Sequence, residues 1–348
     1  MATVTFAGGT ASGAGGHAPA PGAVAYRPSP WESQDRIDFV GRLAAEDDPG
    51  ALVAHLLYAN GCEGHGAVSR LRAMPEARRR AFADALVEVV GVPGCPRDVR
   101  EQGMVLLATV SRGFVRASWC EEWTALLEHR AAHWYTMGTD DGPPPVAEAL
   151  LDAGLPLSDA VVGMLRRSAL EGHDWAAVLL ERVPLPLLNP GEPWADRIRA
   201  DLLVLGDPWP ALVAHLHAAP AAPTRRWDKA ARGLLDGIDA ETVRRTVTPW
   251  AALAAEGGRA EGGGHDPCDV TAVRGLAWLL SLLPPHPESA RTLGALVERP
   301  PVKAVVADAA VRALARLEGG AGHAELSRLA DRVSHTVTLR RIRRALAP

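Results

Sequence analysis

From Trp31 onward, apolar side chains return every three or four residues in one segment after another, and no comparable series of alternating β-branched residues breaks the pattern. This period constrains the fold more than any other feature of the chain. Residues that repeat every 3.6 positions line one face of a helix, whereas a strand needs a repeat of two. Over 267–283 the stripe is Val270, Val273, Leu276, Ala277, Leu280 and Leu283. Over 301–317 it is Val302, Val306, Ala310, Ala313 and Leu317, and over 240–255 it is Val243, Val247, Trp250 and Ala254. Over 117–134, Trp119, Trp123, Leu126 and Arg130 mark a face that Trp134 completes. Each such face has to be covered by another element, so a succession of them predicts an all-α chain.

Local signals place the helix boundaries. Asp48-Pro49, Asp207-Pro208 and Asp266-Pro267 each pair a capping carboxylate with a proline at the first helical position. The carboxylate accepts from unpaired N–H groups, and proline has no N–H to leave unpaired. Pro75, Pro193 and Pro301 are placed to start further helices, and the Gly/Pro clusters at 138–145 and 284–287 separate neighbours. The hexapeptide Ala-Leu-Val-Ala-His-Leu occurs at 51–56 and again at 211–216, each time after an Asp-Pro signal. A looser match links Leu71–Arg80 with Leu235–Arg245. Helical hairpins that cannot bury their apolar faces alone, and stack to do so, give such echoes. The expected architecture is a HEAT-like α-helical repeat superhelix over 31–348, with a sub-boundary near 138–145. Residues 1–30, rich in Gly, Ala and Pro, are expected to form a disordered N-terminal tail.

Composition removes several classes. Hydrophobic residues make up 47% of the 348, enough for a large core, and the net charge of −4 excludes a chain that coats nucleic acid by bulk charge. Of the 37 basic residues only Lys229 and Lys303 are lysines, so lysine chemistry has two candidates, neither in a recognisable motif. Cys62, Cys95, Cys120 and Cys268 form no C-x-x-C pair and read as reduced thiols. The N-terminus lacks a basic region and a continuous apolar core, and no run of eighteen apolar residues occurs. A cytoplasmic protein without a membrane span is expected.

Catalytic patterns are weak. Gly8 to Gly13 has the spacing of a phosphate loop, but Ala14 stands where the lysine is required. His129 and His133 share a helix face, and Glu122 lies two turns earlier, about 10 Å away at the helical rise. They read as helix histidines rather than a metal set. Cys62 and His65 are half of a zinc pattern without a second pair. Cys268 follows a proline near a helix start, where a thiol acidity can rise, yet only His265 is near in sequence. Catalytic, cofactor and metal residues are therefore expected to be none.

Charge is uneven. Glu288–Pro348 carries eleven Lys and Arg against six Asp and Glu. The last helix places Leu339, Ile342 and Leu346 on one face and Arg340, Arg341, Arg343 and Arg344 on the other, and Arg78, Arg79 and Arg80 form a second cluster. A hydrated capping helix accounts for this pattern, and an interaction patch for an acidic protein or nucleic acid is the alternative. Trp119, Trp123, Trp175, Trp250 and Trp278 fall within apolar stripes, whereas Trp31, Trp194, Trp209 and Trp227 lie near helix starts or breaks.

Two stretches carry a resemblance. Residues 223–253, with Trp227 and Trp250, and residues 273–300, with Gly275, Leu276 and Trp278, continue into the basic terminal helix. Over roughly 206–347 the chain resembles the helical region that precedes the C-terminal domain in bacterial proteins of the molybdate-metabolism-regulator type, some of which carry a WGR domain. The resemblance implies helical-repeat architecture and a protein partner, such as a separate chain carrying that C-terminal domain. It supplies no catalytic residues. The expected function is a non-enzymatic scaffold or adaptor for a protein partner, with nucleic-acid binding or base excision through the arginine clusters, and a tryptophan for stacking, as the alternative.

Overall fold

The computed structural model describes residues 32–58, 65–133, 144–258, 264–298 and 304–347. The tail 1–30, Trp31, Cys62, Trp134, Pro301, Lys303 and most of 138–145 lie outside them. The described residues form eighteen helices and no strand. The first nine are α1 (Gln34–Ala45), α2 (Pro49–Tyr58), α3 (His65–Arg72), α4 (Glu76–Val90), α5 (Arg97–Val110), α6 (Ala117–Ala132), α7 (Pro144–Asp152), α8 (Asp159–Leu170) and α9 (Asp174–Leu180). The second nine are α10 (Pro193–Leu205), α11 (Trp209–His217), α12 (Arg225–Leu234), α13 (Ala240–Ala255), α14 (Val270–Leu280), α15 (Pro287–Glu298), α16 (Ala304–Arg316), α17 (Ala321–Arg332) and α18 (Thr336–Leu346). The fold is all-α.

Short polar side chains set several starts. Ser33, Ser158, Thr224 and Asp239 each accept a backbone N–H in the first turn of α1, α8, α12 and α13. Asp48 accepts from the Ala51 amide at 2.9 Å, and α2 begins at Pro49 as its sequence predicts. The other two Asp-Pro signals behave differently. The Asp207–Pro208 peptide bond is cis, and α11 starts at Trp209 without a side-chain cap. After Asp266 a turn over 267–269 leads into α14 at Val270, and one Asp266 carboxylate oxygen accepts the Cys268 N–H at 2.9 Å as a cap would.

Neighbouring helices pack in a regular order. In the N-terminal half α1, α3, α5, α7 and α9 contact one another in sequence, and α2 packs on α4 and α6 on α8. In the C-terminal half one row is α10, α13, α15 and α17, and the other is α11, α14, α16 and α18, with α12 laid on α11. Gly275 brings α14 close to α11, and a Cβ there would lie 2.6 Å from the Leu216 carbonyl oxygen. Only glycine permits that approach.

Two apolar cores result. One runs from Val40 to Leu179 and the other from Leu188 to Ile342. Burying each Val or Leu of these stripes contributes about 1.5–3 kcal/mol, and the stripes read from the sequence supply both cores. The repeated hexapeptide buries the same positions twice, Leu52, Val53 and Leu56 in α2 and Leu212, Val213 and Leu216 in α11.

Candidate functional site

Two of the three clustered arginines on α4 are turned to the backbone of neighbouring helices. Arg78 donates to the Ala44 and Ala45 carbonyls at the end of α1. Arg79 donates to the Val110 and Arg112 carbonyls at the end of α5, both at 2.6 Å. Arg80 pairs with Glu76 at 2.8 Å and lies over the Phe114 ring, 4.5 Å from its centre. A guanidinium fits this position because the last carbonyls of a helix lack intrahelical donors and carry negative partial charge. Arg100 does the same for Val90 at the end of α4, and Arg274 for Ala219 beyond α11.

The cluster on α18 is different. Ile342 is buried against the body of the protein, and Arg341 pairs with Asp308 of α16 at 3.2 Å. Arg340, Arg343 and Arg344 are exposed, and none has an ion-pair partner among the described residues.

The densest set of titratable groups lies where the two cores meet. Asp266 accepts from Arg167 at 2.8 Å, from the Asn189 side-chain amide at 3.0 Å and from the Cys268 backbone at 2.9 Å. Its own backbone N–H donates to Glu192 at 2.8 Å, and Glu192 also accepts from the Trp194 indole at 2.5 Å. Asp269 accepts from the Asn189 amide at 2.7 Å, with Arg166 at 3.7 Å and His217 at 3.8 Å. Glu192, His265, Asp266 and Asp269 are each 1% exposed or less.

Burial governs the chemistry of this set. The Asp269 carboxyl is pushed up to about 7, first by removal from water and then by the neighbouring Asp266 charge. The Cys268 thiol is pushed up to about 12 by the same two causes in the same order. His217 is held below the usual imidazole range by burial and by Arg166. A thiol held in its neutral form is a poor nucleophile, so the set serves as a polar seam that joins α8, the 186–192 loop and the start of α14.

The histidine pair on α6 does not gather a metal set. His129 and His133 are both exposed, their ring centres are 4.5 Å apart, and Glu122 is bound by Arg100 instead. No group of three or more His, Cys, Asp or Glu among the described residues is placed to hold a metal ion. Among these residues no helix is long and apolar enough to cross a membrane.

Comparison with known proteins adds little. No family model matches the chain, and no curated protein matches it. Among solved structures, human deoxyhypusine hydroxylase in complex with glycerol aligns over 90% of this chain and 95% of its own, at 15% identity and a TM-score of 0.23.

Eight of the ten tryptophans are described, Trp31 and Trp134 being outside, and they bear on the stacking alternative. All eight described tryptophans are buried, at 6% exposure or less. Those near helix starts are as enclosed as those in the stripes. Several tie two elements through the indole N–H, as Trp123 to Met104 on α5, Trp250 to Asp201 on α10 and Trp278 to Pro220. None is presented to stack a base. On α4, Arg78 and Arg79 are engaged by backbone carbonyls, whereas Arg80 stays exposed. Sequence reading did not find the seam, because its partners lie 74 to 99 residues apart. It also did not single out the cations of α12, where Arg225, Arg226, Lys229 and Arg232 stand exposed around a buried Trp227.

Proposed function

We propose that the protein is a HEAT-like helical-repeat scaffold that binds a protein partner and is not itself an enzyme. One observation carries the reading: successive helices pack in ordered rows in both halves, on second neighbours along α1, α3, α5, α7 and α9 and from α13 to α18, with α12 set aside between α10–α11 and α13–α14. Stacked hairpins of this kind build long surfaces and do not converge polar groups on a deep pocket. An open groove of about 590 Å³ between α1, α3 and α4, and an apolar one of about 880 Å³ lined by Val115, Cys120, Ala125 and Leu155, supply places for a partner. A separate chain carrying the C-terminal domain of the resembled bacterial proteins fits this reading as the partner.

Two measurements test it. A stacked array gives a radius of gyration well above the roughly 20 Å of a compact chain of this length in small-angle scattering. Affinity capture with a candidate partner chain, repeated with Leu155→Glu and Ala125→Glu, should lose the partner with the groove. A compact scattering profile, or turnover of a small substrate by the purified protein, would overturn the proposal.

A further inference from the structure

Charge in the C-terminal half is sorted by row. The row α10, α13, α15 and α17 carries seven Arg and seven Asp or Glu, and is neutral. The other row, α14, α16 and α18 with the attached α12, carries eleven Arg and Lys against two Asp. Those two acids, Asp228 and Asp308, are already paired. Asp228 binds Arg316 at 2.6 Å, and Asp308 binds Arg312 and Arg341 at 3.1 and 3.2 Å. A chain with a net charge of −4 therefore concentrates positive charge on one row of helices, with exposed Asp236 and Glu318 in the adjoining turns.

Seven of the eleven cations are uncommitted. Arg225, Arg226, Lys229 and Arg232 on α12, with Arg340, Arg343 and Arg344 on α18, are exposed and have no ion-pair partner among the described residues. By contrast, six of the seven arginines of the neutral row, Arg197, Arg199, Arg244, Arg245, Arg328 and Arg332, have carboxylate partners, and the seventh, Arg291, donates to the Pro287 carbonyl. The α12 and α18 groups are tied to one support. Asp228 fixes α12 at Arg316, and Arg341 fixes α18 at Asp308. These anchor points are eight residues apart on α16, roughly 12 Å at the helical rise.

We propose that α12 and α18 form a binding surface for the phosphate backbone of a nucleic acid. Three features select this partner. The cations are spread over two helices, which matches a polymer with a charge every ~1.7 Å of duplex axis rather than one isolated phosphate. Six of the seven are arginines, whose planar donors suit phosphate oxygens. The apolar sides of both helices face inward, with Trp227, Ala231 and Ile342 buried, and Val337 is the one large apolar side chain they leave exposed. A protein partner would need buried apolar anchors, and an anionic membrane would need an apolar face to take up. The eight described tryptophans are buried, so among the described residues contact with the polymer falls to charge, and little dependence on base sequence is expected.

The test is fluorescence anisotropy of the full chain with a labelled DNA duplex and, separately, a labelled single-stranded RNA of similar length, each over a range of salt. Binding to either supports the surface, and the tighter of the two identifies the source of the phosphates. The logarithm of the affinity should fall with the logarithm of salt with a slope of about −3 to −6, as four to seven contacts require. Neutralising Arg340, Arg343 and Arg344 to Gln should weaken binding about tenfold or more and make the slope shallower by about 2 to 3. The quadruple change Arg225→Gln, Arg226→Gln, Lys229→Gln and Arg232→Gln should act in the same direction. Replacing the three α18 arginines by Lys should keep most of the binding, and Arg245→Gln on the neutral row should change nothing. Circular dichroism checks that helicity is kept. Absence of binding to both probes overturns the proposal. So does wild-type affinity in both Gln variants, or equally effective competition by polyglutamate or by phosphatidylserine vesicles.

Discussion

Asp269 is a carboxyl whose environment favours the neutral form, and that preference has a definite sign. Its folded value of about 7 lies above the ordinary carboxylate range. Its contribution to stability is thus complete below about pH 4 and is lost as pH rises through about 7. Asp269→Asn keeps an oxygen to accept the Asn189 amide and removes the titration. The difference in unfolding free energy between wild type and variant should therefore change steeply from pH 4 to 7 and be flat above, as denaturant melts across that range would show. His217 works in the opposite sense. Its lowered value withdraws stability as pH falls below about 6.5. The comparison has to be made against the variant rather than read from the wild-type curve alone. A constant difference from pH 4 to 7 would sink the assignment.

At the scale of the element, arginines close the ends of neighbouring helices. Arg79 meets two carbonyls beyond its own helix, whereas Arg80 makes an exposed pair one turn away. Hydrogen bonds from a charged donor contribute about 1.5–3 kcal/mol, and an exposed pair about 0.2–1 kcal/mol. Arg79→Gln should lower stability by about 2 kcal/mol in urea melts, and Arg80→Gln by less than about 1 kcal/mol. Equal losses would show that the carbonyl contacts carry nothing special. Adjacent residues of one basic run thus have unlike roles, and the sequence alone does not separate them. What the sequence does show is governed by near neighbours. The stripes through Val243, Val247 and Trp250, or through Val273, Leu276 and Leu280, mark buried faces because the period is set within one helix. The Asp48-Pro49 start is legible for the same reason. Asp266 meets the same local signal with one carboxylate oxygen, which accepts from Cys268, while the other binds Arg167 and Asn189, which lie far away in the chain. The local half of that role is legible in the sequence, and the distant half is not. The terminal basic helix is legible as a face, whereas the α12 cations join its row only through the packing of α12 on α11 and the Asp228–Arg316 pair.

For the whole molecule, the two apolar cores meet through ions rather than through methyl groups. Asp266 holds both sides, and its removal leaves the Arg167 charge enclosed without its partner. Breaking one member of such a pair costs about 3–5 kcal/mol. Asp266→Ala should therefore lower stability by that amount, and calorimetry should resolve two transitions where the wild type shows one. A single transition with a small shift would mean that the cores are joined by other contacts. The close fit of Glu192 beside Gly258 belongs to the same junction, since a Cβ at Gly258 would lie 2.3 Å from a Glu192 oxygen. Greasy surfaces tolerate sliding, because one methyl replaces another at little loss. A lock of carboxylates and guanidiniums has a single registration, so the halves are held at one mutual angle until water itself is let in.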